Sequence, residues 1–107
     1  MVIKVKIPVP LQRLTNYQEE VEGVEGNIIG LVDYLDKQYS GIGERLSDNG
    51  KLRKFVLFYV NNEDIRFLKN ENTEIKDGDE VLIVPAVAGG SQKKNNSGLD
   101  FLIYWMN

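Results

Sequence analysis

The sequence has no cysteine and no histidine. Without cysteine there is no disulfide, no thiolate metal site and no cysteine nucleophile. Without histidine the usual general base and the commonest transition-metal ligand are missing. Asp, Glu, Lys and Tyr remain, but the composition points to a protein that is acted upon and is not itself an enzyme. No apolar run approaches the ~20 residues of a membrane span. The opening Met1-Val2-Ile3-Lys4-Val5-Lys6-Ile7 alternates apolar and charged residues, which is not an uninterrupted signal core. A cytoplasmic location and no membrane partner are therefore expected. A basic excess is absent too: 13 Lys and Arg stand against 16 Asp and Glu, for a net charge of −3. Duplex-binding domains usually show a basic face. Lys51, Arg53 and Lys54 form one short basic cluster and Lys93 and Lys94 another; both read as solvated surface. Tyr17, Tyr34, Tyr39 and Tyr59 do not interleave with basic residues, so stacking on nucleic acid is not expected.

What remains is an ordinary globular composition, 42% hydrophobic over 107 residues, enough for one domain with a modest core. Ile3, Val5 and Ile7 alternate with Lys4 and Lys6 as a half-buried strand, ended by Pro8 and Pro10. Gln18 to Val24 reads as a second strand and completes an opening hairpin. Asn27 is a candidate N-cap for a helix whose stripe is Ile28, Leu31, Val32, Leu35 and Tyr39, stopped at Ser40-Gly41. Glu44 to Leu46 reads as a short helical turn and Ser47 to Gly50 as loop. Phe55 to Val60 is dense enough for a central strand, Asn61-Asn62 is a turn, and Ile65 to Phe67 a short strand. Phe55, Phe58 and Phe67 are expected in the core. Asp77-Gly78-Asp79 is a turn before Glu80 to Val84, whose run Val81 to Val84 suggests burial on both faces. Asp77 and Asp79, like Asp33 and Asp36, are better read as turn and solvated-helix residues than as metal or acid–base pairs, so no metal site is expected.

The order β-β-α-β-β-β predicts an α+β fold of the β-grasp, ubiquitin-like kind: a mixed sheet of four to five strands with one main helix packed on it. Pro85 stops the last strand, and Ala86-Val87-Ala88-Gly89-Gly90 follows as a tail of small residues. Beyond it, Ser91 to Gly98 is a polar linker and Leu99 to Asn107 is strongly apolar, with the sole tryptophan at position 105. The chain thus divides into a domain at 1–90 and an extension at 91–107. A free aromatic tail in water is a liability, and this one is expected to dock on something.

Four segments resemble the MoaD/ThiS family of prokaryotic sulfur carriers, and within it the carriers of cysteine biosynthesis. They are Tyr39 to Leu46, Tyr59 to Phe67, Asp77-Gly78-Asp79 and Pro85 to Gly90; the resemblance spans Met1 to Gly90. It implies that Gly90 is the site of adenylation and thiocarboxylate formation, with Val87, Ala88 and Gly89 recognised as the tail threads a partner's cleft. Glycine suits that passage because it has no Cβ and reaches backbone angles closed to other residues. The resemblance also implies the partners: an E1-like adenylating enzyme that uses ATP and magnesium, and a sulfur-accepting biosynthetic enzyme such as a PLP-dependent cysteine synthase. Molybdopterin and thiamine are the other acceptor pathways it allows. The carrier binds no cofactor of its own and is expected to be a monomer when free. Typical carriers end at the second glycine, so the Gly90–Ser91 bond is the expected processing point for a JAMM-type metalloprotease. The alternative reading is a ubiquitin-like binding module that keeps residues 91–107 as a permanent interaction tail.

Overall fold

The alternation at the N-terminus becomes β1 (Ile3–Lys6) in a computed structural model that describes residues 2–85. Ile3, Val5 and Ile7 are buried, and Lys4 points outward. After Pro8 the chain makes a 3₁₀ turn, Val9–Thr15, and returns as β2 (Glu20–Gly23), antiparallel to β1 with Val5 opposite Val21. The hairpin expected from sequence is therefore present, its second strand shorter than Gln18 to Val24. The two-residue β3 (Gly26–Asn27) leads into α1 (Ile28–Gln38). Asn27 caps the helix, its side chain accepting from the Gly30 N–H at 2.8 Å. Ile28, Leu31, Val32 and Leu35 are all buried, and Tyr39 packs against the core as the C-cap. Each fully buried side chain of that stripe contributes about 1.5–3 kcal/mol relative to exposure.

Gly41 does not close α1. It sits at φ 98 as the N-cap of α2 (Ile42–Leu46). Ser47 to Gly50, read as loop, is instead half of a small hairpin of β4 (Ser47–Asp48) and β5 (Lys51–Leu52). Asn49 and Gly50 both have positive φ, the requirement of a tight two-residue hairpin turn. Asn61-Asn62 makes the same kind of turn, at φ 52 and 72, between β6 (Val56–Val60) and β7 (Glu63–Asp64). Ile65–Phe67 is a 3₁₀ turn and not a strand, because Asp64 caps it by accepting from the Arg66 N–H. Beyond it lie a second such turn, Asn70–Asn72, then β8 (Glu74–Ile75), which pairs with β3, and β9 (Glu80–Pro85).

The five-stranded sheet runs β2-β1-β9-β6-β7. β9 is parallel to β1 and antiparallel to β6. This is the mixed sheet of the β-grasp, ubiquitin-like fold, with α1 covering one face. β6 is an interior strand between β9 and β7, as its dense apolar run suggested, and β9 lies at the middle of the sheet. β9 also buries one face only: Val81 and Ile83 are buried, while Leu82 is 37% exposed and Val84 half-buried. Among the described residues, α1 and the connections fill one side of the sheet and none covers the other. Of the three phenylalanines expected inside, only Phe58 is buried; Phe55 is 39% exposed and Phe67 79%. Those two lie just outside the strands, where the pleat no longer dictates direction.

Candidate functional site

The residues singled out for chemistry, Val87, Ala88, Gly89, Gly90 and Ser91, lie outside the described residues, as do Leu99 to Asn107. What the structure gives is the platform from which they depart. β9 is hydrogen-bonded on both sides, with Val81 between Val5 and Val60 and Ile83 opposite Phe58. It ends at Pro85, opposite Val56. Proline has no N–H to donate to a ladder. The tail is thus attached to the most constrained strand of the molecule.

The motifs that resemble the sulfur carriers hold that platform together. At the end of the sheet remote from Pro85, Asn61 and Asp79 join two turns. The Asn61 Nδ2 donates to Asp79 Oδ1 at 2.9 Å, and the Glu80 N–H donates to Asn61 Oδ1 at 3.0 Å. The second Asp79 oxygen accepts from the Lys76 N–H at 2.8 Å. Both Asp79 oxygens therefore serve turns, and the turn expected at Asp77-Gly78-Asp79 is present. Among the described residues, no group of three or more Asp and Glu side chains is placed to hold a metal ion. Asp36, on α1, accepts from the Gly41 N–H at 3.2 Å and the Gly43 N–H at 3.0 Å, which fixes α2 against α1. Gly43 has to be glycine at that contact: a Cβ there would lie 2.8 Å from Asp36 Cβ.

Two charge clusters lie on the open face of the sheet. Lys6 Nζ lies 3.2 Å from Glu20 and 3.8 Å from Glu80. The hydrogen bond to Glu20 and that residue's charge raise the Lys6 pKa. Arg66 reaches Asp64 through Nη2 at 2.7 Å and Nε at 3.0 Å. Asp64 is largely buried, and the Arg66 hydrogen bonds outweigh that burial to hold its carboxyl below the usual range. Between these two charge clusters, the register sets Leu57 opposite Val84 and Tyr59 opposite Leu82. This four-residue apolar patch escapes a reading of the sequence that takes Val81 to Val84 as buried on both faces. The period-2 alternation of β6 was the signal that could have disclosed it. A cleft of about 320 Å³ opens beyond the edge of β6, between the Lys51–Lys54 loop and Arg66.

The ThiS family matches residues 5–90. The sulfur carrier protein CysO of Mycobacterium tuberculosis is 45% identical over 93 residues, taking in 84% of this chain and 100% of its own length. A putative sulfur carrier protein of Archaeoglobus fulgidus is 33% identical over 92 residues, with the same coverage of each chain. Among solved structures, M. tuberculosis CysO superposes with a TM-score of 0.74 at 43% identity, over 79% of this chain and 99% of that one. A chain of the Amycolatopsis orientalis BexX/CysO complex gives a TM-score of 0.77 at 39% identity, over 82% and 99%. These relatives are matched over essentially their whole length, while the family match to this chain stops at Gly90.

Proposed function

This chain belongs to the ThiS family, and from that premise we propose that it is a sulfur carrier whose reactive group is the main-chain carboxylate of Gly90 once Ser91 to Asn107 have been removed. The observation that supports this reading is that the small-residue tail after Pro85 and the family match end at the same residue, Gly90. Absence of histidine and cysteine agrees with a carrier that supplies no catalytic side chain.

In the proposed sequence, hydrolysis of the Gly90–Ser91 bond by a JAMM-type metalloprotease frees the carboxylate. An E1-like enzyme joins that carboxylate to the α-phosphate of ATP, with magnesium, and pyrophosphate leaves. Sulfide, or the terminal sulfur of a persulfide, attacks the acyl carbon and expels AMP, leaving Gly90 as a thiocarboxylate. A persulfide donor needs two electrons from a thiol reductant to release the sulfur. The thiocarboxylate sulfur then adds to an activated acceptor, with cysteine formation on a PLP-dependent enzyme the favoured case; the product stays joined to the Gly90 acyl group until a protease hydrolyses that bond, which returns the Gly90 carboxylate. The carrier's part in every step is mechanical: β9 fixes where the tail starts, and residues without bulk let its end reach a recessed centre.

The test is intact mass. The chain ending at Gly90, incubated with the activating enzyme of its own organism, ATP, magnesium and sulfide, should gain the mass difference between sulfur and oxygen. Gly90→Val should lose that gain. A chain recovered from its own cell with Asn107 intact, and a Gly90-ending chain that never gains the mass, would instead support the permanent-tail module.

A further inference from the structure

The apolar extension is the one prominent feature of the sequence that the carrier reading does not use. The open face of the sheet carries an apolar patch that none of the described residues covers. We propose that Leu99 to Met106 of the unprocessed chain seat in cis on the outer-face patch of Leu57, Tyr59, Leu82 and Val84.

Position is the first argument. Leu57 and Val84 form the rung next to Val56 and Pro85, and Tyr59 and Leu82 lie two residues further along. The apolar part of the face is thus at the end where the chain departs. The charged part, with Lys4 opposite Glu80, is at the other end. From Pro85, the patch extends back only three residues, about 10 Å at ~3.3 Å per residue. Residues 86–98 connect Pro85 to Leu99. A connector of that length spans about 20 Å on average as a flexible coil and at most roughly 45 Å when extended. It is long enough to turn back over β9 and short enough to keep the segment at high local concentration.

Charge is the second argument. The patch is bordered by the Lys6 cluster with Glu20 and Glu80, and by the Asp64–Arg66 pair. Both borders are already satisfied internally, so an occupant rich in charge gains little there. Leu99 to Met106 carries a single charged residue, Asp100. Its composition, Leu, Phe, Leu, Ile, Tyr, Trp and Met around that aspartate, matches an apolar patch whose bordering charges are engaged with one another. While seated, the segment keeps any other protein off this face, and cleavage after Gly90 exposes it.

Trp105 is the sole tryptophan, so its fluorescence reports the segment alone. In the full chain its emission should be blue-shifted from that of the urea-unfolded chain, and acrylamide quenching should be severalfold weaker. Both effects should persist on dilution. Leu82→Gln and Leu57→Gln, at half-buried or exposed positions, should each restore the exposed-indole signal while far-UV circular dichroism stays unchanged. Tyr17→Ser, in an apolar cleft beside Val9 and Arg13, is the control and should change nothing. An exposed indole in the parent overturns the proposal. So does a shift that survives both glutamine variants or is lost with Tyr17→Ser, since the segment then packs elsewhere. A shift that fades on dilution overturns it in favour of a second copy of the chain. None of these readouts involves adenylation, so the carrier reading stands or falls separately.

Discussion

Neighbouring residues on β9 should differ sharply in what they contribute. Ile83 is 1% exposed and faces the core opposite Phe58; Leu82 is 37% exposed and faces outward. Truncating either to alanine removes three carbons. For Ile83, the lost transfer free energy is about 2.4 kcal/mol at ~0.8 kcal/mol per methylene. A cavity term adds to it, because the core around Phe58 cannot collapse fully, bringing the loss to about 3–4 kcal/mol. For Leu82, roughly 0.6 of the same transfer term applies, and water fills the space, so the loss is about 1–1.5 kcal/mol. The assay is urea unfolding of the chain ending at Gly90, in which the outer face is bare. With m near 1–3 kcal/mol/M, Ile83→Ala should lower the midpoint by roughly 1–4 M and Leu82→Ala by about half as much or less. Equal losses would refute the one-sided burial of β9 and, with it, the open apolar patch.

Gly43→Ala gains about 1 kcal/mol in helix propensity but drives a Cβ into Asp36, displacing the carboxylate from two backbone N–H groups. A net loss of about 1–2 kcal/mol is expected by chemical denaturation; a variant as stable as the parent refutes the contact. For Asp64, the pairing with Arg66 lowers the folded pKa below the unfolded one. As pH falls, the unfolded chain takes up that proton first, so the stabilisation is complete above about pH 4 and is lost as pH falls through the folded value. Asp64→Asn should flatten that part of the acid-unfolding curve, and identical slopes in parent and variant would show that the pair contributes nothing.

Local chemistry was legible in the sequence. Asn27 as a cap, the α1 stripe, the Asn61-Asn62 turn and the Asp77-Gly78-Asp79 turn each depend on residues a few positions apart. Strand neighbours were not. Nothing near Val81 to Val84 states that β1 and β6 flank it or that no layer covers its far side. A run of four apolar residues therefore reads as doubly buried. Phe67 misled for the opposite reason: it follows a buried residue at strand spacing, but the Asp64 cap turns the chain into a 3₁₀ turn and leaves the ring outside. The roles of Gly89 and Gly90 were read from tail composition and family resemblance, and both residues lie outside the described ones.

The place of β9 between β1 and β6 has a consequence for proteolysis. β1 with β2, and β6 with β7, are hairpins that share no ladder of their own. Remove the strand between them and the sheet becomes two separate ribbons, each too small to persist in water. A cut after Asp79, 11 residues short of Gly90, would take the whole of β9 with it. The result would be a chain whose two ribbons have lost the strand that joins them, not a slightly shortened domain.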